Sequence, residues 1–404
     1  MTDTTANAGR IPAETTAYAV ILAVSFCHLI NDIMQSLLSA IYPMLKSDYG
    51  LDFWQIGLLT MTFQVTASLL QPAIGIYTDK RPLPYSLPVG MGSTLIGLMF
   101  LAFAGQYALL LVGAALVGLG SAVFHPESSR VARLASGGKY GLAQSLFQVG
   151  GNFGQALGPL LAAFIVVPRG QSSVAWFSVA ALVGMIVLWQ VGTWYSNHRK
   201  ANANRPASIP KQTLPRRTIV VALVVLAILT FSKNVYMASI SSFYTFYVIE
   251  KFGVSVQMSQ VLLFVFLGGA AVGTIVGGPI GDRFGAKTVI WFSILGVLPF
   301  TLVLPFADLT WTVVLSFVIG LVMASAFPAI VVFAQELLPG RVGMVAGIFF
   351  GLAFGMAGIA AAVLGVVADA RGIEYVYAVC SVLPLLGLLT IFLPDMQARK
   401  ISAA

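Results

Sequence analysis

A carboxylic acid and an imidazole stand one helical turn apart inside an otherwise apolar stretch near the start of the chain. Residues 17–43 carry His28, Asn31, Asp32, Gln35, Ser36 and Ser39. Steps of three and four place them on one face of a helix. Asp32 with His28 is a pair suited to holding and passing a proton; the plainer alternative is a structural Asp–His bond. A second cluster, His125, Glu127 and Arg130, closes a run that carries no charge from Tyr107 onward. Glu127 and Arg130 are within ion-pair reach at i, i+3, and His125 and Glu127 are read with Asp32 as candidates for proton coupling. A third group centres on Lys233, beside Asn234 and Tyr236, with Tyr244 and Tyr247 further along. A buried ammonium facing a cavity would bind an anion, unless it only pairs with Asp32 or Glu127. Amides and one hydroxyl complete the set at helical spacing: Gln64, Ser68 and Gln71 in one segment, and Gln144, Gln148, Asn152 and Gln155 in another. Substrate is expected on Lys233, Asn31, Gln35, Asn234, Tyr236, Gln64, Gln148, Asn152 and Arg130. Single amides could instead be interhelical glue, worth about 0.6 kcal/mol each. Arg133 reads as an interfacial anchor whose stem snorkels.

These side chains need a scaffold that tolerates them in grease. The chain has 404 residues, 58% hydrophobic and 9% charged, with a mean hydropathy of +0.91. Soluble domains carry about 25% charged residues, so this is an integral membrane protein. Apolar runs of about 20 residues broken by short polar turns mean helices, since barrel strands would be about 10 residues with alternating pattern. Twelve helices are predicted, at about 17–43, 54–77, 85–104, 107–132, 140–167, 173–195, 217–248, 256–281, 286–306, 309–337, 341–368 and 373–393. The fold class is all-α, two six-helix bundles at 17–195 and 218–393. A basic, Pro- and Asn-containing linker at 196–217 joins them, with tails at 1–16 and 394–404. The first 16 residues lack the charged start and short apolar core of a signal peptide.

Basic residues set the orientation. With the N-terminus in the cytoplasm, Lys46, Arg169, Lys251 and Arg371 lie in outer loops and Lys233 lies inside a helix; the remaining seventeen of the 22 Lys and Arg face the cytoplasm. Both termini are therefore expected there. The net charge of +8 follows from topology and does not imply nucleic acid. Cys27 and Cys380 fall in apolar runs and read as buried free thiols.

The halves repeat. "GIYTDKR" (Gly75–Arg81) and "GPIGDRFGAK" (Gly278–Lys287) share Gly-x-x-x-Asp-basic. Asp79 and Asp282, Gly50 and Gly253, and Asn31 and Asn234 are each 203 apart; Pro126 and Pro328, Gly138 and Gly340, Gly141 and Gly343, and Lys139 and Arg341 are 202 apart. A parallel duplication of six helices puts a substrate cavity between halves near the bilayer midplane. Gly343, Gly347, Gly351 and Gly355, at strict fourfold spacing, form a close-packing face.

The two Gly-x-x-x-Asp loops, each between the second and third helix of a half, resemble the hallmark motif of the major facilitator superfamily. "GQALGPLLAA" (Gly154–Ala163) resembles its fifth-helix antiporter motif through Gly154, Gly158 and Pro159, with alanines replacing the last two glycines. "CHLINDIMQSLLSAIYPML", "FHPESSRVARLASGG", "FQVGGNFG", "KNVYMASISSFYTFY" and "AQELLPGR" look like the fosmidomycin-resistance branch, and the likeness runs from about 20 to 395. It implies a bacterial inner-membrane exporter driven by proton influx, with no cofactor beyond the proton motive force. The implied substrate is a small phosphonate and hydroxamate antibiotic, and the partners are that anion, protons and the bilayer, with the protein a monomer. It implies a gating role for Gly75, Asp79, Lys80, Gly278, Asp282, Arg283 and Gly285, with Asp79 at the start of the eleventh helix latching the outward-open state. The first loop lacks the glycine and basic pair that normally follow the aspartate, and no arginine stands mid-helix near Leu116.

An intramembrane enzyme is the rival from another class. "HPESS" is not His-Glu-x-x-His, no Gly-x-Ser-Gly occurs, and His28, His125 and His198 stand at no metal-ligand spacing, so no metal and no catalytic residue are expected. A receptor or structural protein has no need of two equal halves with facing polar stripes. An uptake symporter for a small organic anion shares every feature of the exporter.

Overall fold

A computed structural model describes residues 16–51, 53–202 and 214–396. With no water in hydrocarbon to satisfy the peptide groups, the chain must bond them internally. Among the described residues it does so as twelve long helices. The first half holds α1 (Tyr18–Ala40), α2 (53–80), α3 (Ser86–Phe103), α4 (Tyr107–Ala135), α5 (Tyr140–Arg169) and α6 (171–202). The second holds α7 (Arg216–Phe252), α8 (Val256–Phe284), α9 (Ala286–Phe306), α10 (Leu309–Leu337), α11 (Val342–Arg371) and α12 (Ile373–Phe392). Eleven of them are long and apolar enough to cross a membrane; α2, interrupted by a π-helical turn at Val65–Leu69, is the twelfth. A matching π turn interrupts α5 at Ala162–Val166. The outer surface is greasy, with Leu22, Phe26, Val89, Phe164, Trp189 and Phe306 all exposed. Such a surface is stable in lipid and would drive association in water.

The repeat is written into the backbone. Gly50 and Gly253 end helices at φ 61° and 65°, and Gly138 and Gly340 turn at φ 89° and 81°. Only glycine takes this left-handed region without strain. Ser255 and Asp308 cap α8 and α10 by accepting from the amides of Met258 and Trp311.

Alternation of the helices brings the N-terminus of α1 beside the C-terminus of α4, where the Ala17 amide donates to the Ala135 carbonyl at 2.8 Å. Lys80, Arg130, Arg133, Lys139, Arg199, Arg283, Lys287 and Arg341 sit toward this same end, called here the basic end; Arg169, Lys251 and Arg371 end helices at the other. The principal contacts between halves join α2, α4 and α5 to α8, α10 and α11, and neither α1 nor α7 takes part in them. A methyl group added at Gly75 would collide with the Gly343 backbone, and one at Gly347 with the Gln71 carbonyl. One at Gly351 would lie 2.8 Å from the Ser68 carbonyl, yet one at Gly355 would meet no described neighbour within 4 Å. The expected glycine face therefore packs through three of its four members. The α2–α11 seam closes at the basic end and opens at Gly355.

Several helix ends differ from expectation. α6 continues as helix to Asn202, so the first part of the expected linker 196–217 is helical, because nothing before Pro206 breaks the backbone ladder. Residues 203–213 of that linker, most of the 1–16 tail and residues 397–404 lie outside the described residues. α7 and α11 run past 248 and 368 to Phe252 and Arg371, where Gly253 and Gly372 stop them.

Candidate functional site

Three buried side chains from two helices converge in the first half. Asp32 and His28 come from α1 and His125 from α4, each no more than 1% exposed. His28 Nε2 lies 3.5 Å from Asp32 Oδ2, His125 Nε2 lies 3.7 Å from Asp32 Oδ1, and the two Nε2 atoms are 3.2 Å apart. Each Nδ1 faces a main-chain carbonyl, Phe147 at 2.8 Å and Ser121 at 3.0 Å. A carbonyl only accepts, which assigns the N–H of each neutral ring to Nδ1 and leaves both Nε2 atoms as acceptors. The contact between them is thus a hydrogen bond only when one carries a further proton. Asp32 accepts from three amides: Asn31 and Gln35 on Oδ1, and Gln155 on Oδ2, each at 3.0 Å. Ser121 holds Gln35 from behind by donating to its Oε1 at 3.1 Å.

α5 closes on this cluster because its contact face is glycine. A Cβ at Gly151 would meet His28 Nε2 at 2.5 Å and Asp32 Oδ2 at 3.0 Å; one at Gly154 would press on the Leu29 carbonyl and Asp32, and one at Gly158 on Ser36 Oγ. The residues read as an antiporter motif, Gly154 and Gly158, are the positions that let α5 reach α1. The side chain of Pro159 lies outside the described residues. His28 also stacks on Phe147, centroids 4.2 Å apart.

His125 belongs with Asp32, not with Glu127 as the sequence suggested. Two residues along a helix differ by about 200° in direction, so the side chains of 125 and 127 meet different neighbours. Glu127 and Arg130 join a separate cluster at the basic end. Arg130 Nη1 pairs with Glu127 at 2.8 Å, Nη2 pairs with Asp79 at 2.5 Å, and Nη1 and Nη2 donate to the carbonyl and hydroxyl of Thr78. Arg130, expected at the substrate, has all these bonds within the protein in this conformation. Asp79 in turn accepts from the amides of Gly343 and Met344 at 3.0 and 2.8 Å, at the start of α11. Asp282 does the same for α5, accepting from Gly141 and Leu142 at 2.7 and 2.9 Å. Both carboxylates sit at the positive end of a helix. The second contact was legible in the sequence as the Gly141–Gly343 repeat beside the Asp79–Asp282 repeat. Lys80 and Arg283 are exposed, and Gly285 caps α8 at φ 90°. Gly75 and Gly278 are the close-approach points beside the two aspartates.

The two latches are unequal. Asp79→Asn removes a dipole contact and one partner of the buried Arg130; the exposed Asp282 gives up a dipole contact of about 0.3–1 kcal/mol in Asp282→Asn. Because Arg130 keeps Glu127, the extra cost stays below the about 3–5 kcal/mol of a fully orphaned buried charge. A cysteine at Ser129, which is buried between Gln144 and Gln335 of α10, reports opening of the basic end. Maleimide labelling of that cysteine rises more in Asp79→Asn than in Asp282→Asn. Equal labelling would mean that Arg130 adds nothing to the closure.

On the opposite wall, Lys233 of α7 is half-buried. Among the described residues no carboxylate lies within 4.0 Å of its ammonium, so the expected alternative, a salt bridge to Asp32 or Glu127, is not formed. Its Nζ lies 5.4 Å from the Phe327 ring centroid. Phe327 stands edge-on to Phe350 at 5.0 Å, and Phe350 and Phe354 lie 5.1 and 5.0 Å from the His125 ring. An aromatic wall from α10 and α11 thus stands between the lysine and the acid cluster. Sequence reasoning missed this wall, because phenylalanines on a membrane helix carry no periodic mark of a site.

The amides divide. Asn152 of α5 donates to Thr274 of α8 at 3.2 Å and stands 3.4 Å from Gln148, a bond between halves. Gln64 is half-buried beside Gly358 of α11. Asn234 turns its amide back to the Thr230 carbonyl of its own helix. Tyr236, Tyr244 and Tyr247 do not extend the lysine's face as expected. They pack into a second core formed by α7 to α12, where Tyr244 bonds Ser316 and Tyr247 stacks on Tyr377. Their large rings fill the bundle interior, and the hydroxyl of Tyr236 has no partner there among the described residues.

Comparison with known proteins gives a consistent picture. A family model described as Major Facilitator Superfamily matches residues 24–253 and 226–403. The chain is 59% identical over 384 residues to the "Fosmidomycin resistance protein" of Escherichia coli strain K12, covering 95% of each. It is 42% identical over 389 residues to the "Uncharacterized MFS-type transporter YfnC" of Bacillus subtilis strain 168, covering 96% of this chain and 95% of the relative. Among solved structures, the human organic anion transporter MFSD10 (TETRAN) aligns with a TM-score of 0.75 at 17% identity, over 94% of this chain and all of that one.

Proposed function

The chain belongs to the major facilitator superfamily and is a multi-pass membrane transporter, not an enzyme; on that premise we propose that it exports a small anionic antibiotic such as fosmidomycin in exchange for protons. The observation that carries this reading is the division of charge across the central space. Among the described residues a half-buried lysine without a carboxylate partner stands on α7, and a carboxylate of α1 stands beside two imidazoles, one from α1 and one from α4. The first is a countercharge for an anion, and the second is a place for a proton. The name of the Escherichia coli relative supports the choice of anion.

In this reading the basic end faces the cytoplasm of a bacterial inner membrane, both termini lie there, and one chain encloses the whole path. With the Asp79 and Asp282 contacts made, the site is reached from outside and the His28–Asp32–His125 cluster takes up a proton. Breaking those contacts turns the site inward, where Lys233 is offered to the anion as the proton leaves. Release of Arg130 from Asp79 would place a second cation near the inner mouth. Gln64, Gln148 and Asn152 lie where the halves part and would supply neutral hydrogen bonds. Alternating access of this kind needs two halves that rock about a fixed site, which the duplicated fold provides.

An uptake symporter would use the same groups with the opposite coupling. Inverted membrane vesicles separate the two. With an interior-acid gradient imposed, an antiporter accumulates fosmidomycin inside the vesicle, and a protonophore abolishes the accumulation. Accumulation that instead requires an alkaline interior would establish a symporter.

A further inference from the structure

We propose that His28, His125 and Asp32 form a binding site for one divalent transition-metal ion of the Zn2+ type. Zn–N bonds of about 2.0–2.1 Å at tetrahedral angles set two ligand nitrogens about 3.3 Å apart. The two Nε2 atoms are 3.2 Å apart, and the Asp32 oxygens lie 3.5 and 3.7 Å from them. The ligand atoms of all three residues fall within 4.8 Å of one another. The cluster is therefore near the shape of three corners of a zinc site with no metal in it.

The surroundings match as well. Imidazoles that bind a metal commonly donate their other N–H to a carbonyl, which fixes the tautomer and turns the free nitrogen toward the ion. Both rings do this, to Phe147 and Ser121. The carboxylate is held by Asn31, Gln35 and Gln155, which leaves Oδ2 with one amide donor. Two neutral imidazole nitrogens pointed at each other need a cation between them, and a metal ion meets that need as a proton does. Binding sends any proton held by the cluster to solvent. A dication with one carboxylate leaves one positive charge in an aromatic shell, so the fourth position suits an anion such as chloride or hydroxide. Gln155, exposed on α5, covers Asp32 Oδ2 with its amide. Sequence spacing could not show this site, because His28 and His125 come from different helices.

Metal binding itself does not depend on the proton-coupling reading. Its consequence does: an ion seated here would displace the coupling proton and arrest export. The test uses the full-length purified protein in detergent, free of any histidine tag, titrated with Co2+ and then Zn2+. One equivalent of Co2+ should give the intense visible absorption of a tetrahedral site, lost when Zn2+ is added. His28→Gln and His125→Gln should each weaken binding by more than about tenfold, and His198→Gln, stacked on Trp194 away from the cluster, should leave it unchanged. X-ray absorption of zinc-loaded wild type needs no variant and should report two imidazole nitrogens. No tetrahedral band in wild type, a band that survives both variants, or a zinc shell lacking imidazole would each overturn the site. A failed titration alongside intact proton-driven export in metal-free vesicles would leave the proton reading standing. Metal binding in a protein without such export would leave this site standing.

Discussion

Lys233→Gln is expected to insert and fold normally yet bind fosmidomycin about 10- to 150-fold more weakly than wild type. The size follows from the bond removed. A hydrogen bond to a charged group contributes about 1.5–3 kcal/mol, and each 1.4 kcal/mol is tenfold in affinity. Folding survives because the lysine has no carboxylate partner among the described residues; its removal orphans no buried charge. A charge deep in a bilayer also costs about 2.5–3.5 kcal/mol on insertion scales, so glutamine relieves a penalty. The contact with Phe327 is lost, at about 0.5–2 kcal/mol. Lys233→Arg should rescue poorly, since a planar fork does not fit the seat of a compact ammonium against one ring. Binding to purified protein is the measurement to make. Wild-type affinity in Lys233→Gln would remove the lysine from the anion site and point to a substrate path that avoids α7.

Asp32→Asn should abolish accumulation driven by a pH gradient while exchange of labelled for unlabelled substrate persists. The replacement is nearly isosteric. Its oxygen can still accept from Asn31 and Gln35, and its amide can face the imidazoles. The Gln155 bond is given up, about 1–3 kcal/mol if that amide finds no other acceptor. What cannot be replaced is the negative charge beside the two rings. Without it, a proton on either Nε2 has no counterion in a cluster no more than 1% exposed, and the site loses its reason to charge and discharge during the cycle. Gradient-driven accumulation at wild-type level in Asp32→Asn would make the aspartate structural, a brace between α1 and α5, and would move coupling to Glu127.

Much of this protein was written along the chain. Hydrocarbon leaves the backbone no partner but itself, so apolar runs of about 20 residues dictated helices, and their number and alternation followed from where the charges fall. The repeat at 202–203 residues foretold the paired glycine turns and the paired Asp–helix contacts, because a duplicated chain folds its copies alike. Periodicity also marked the polar face of α1, since burying Asp32 and His28 requires a reason.

Periodicity describes one helix at a time, and the site is made by several. That His125 turns to Asp32 while Glu127 turns to Arg130 depends on how α4 is rotated against α1 and α2. That Gly151, Gly154 and Gly158 serve approach to α1 depends on which helix α5 meets. Tyr236, Tyr244 and Tyr247 shared a helix with Lys233 yet went to the core, because α7 is surrounded and its faces have different neighbours. The aromatic wall of Phe327, Phe350 and Phe354, and the meeting of two histidines 97 positions apart, exist only once helices are packed. Sequence set which residues had to be buried; tertiary structure decided against what, because burial is a property of composition and contact is a property of rotation and register between helices.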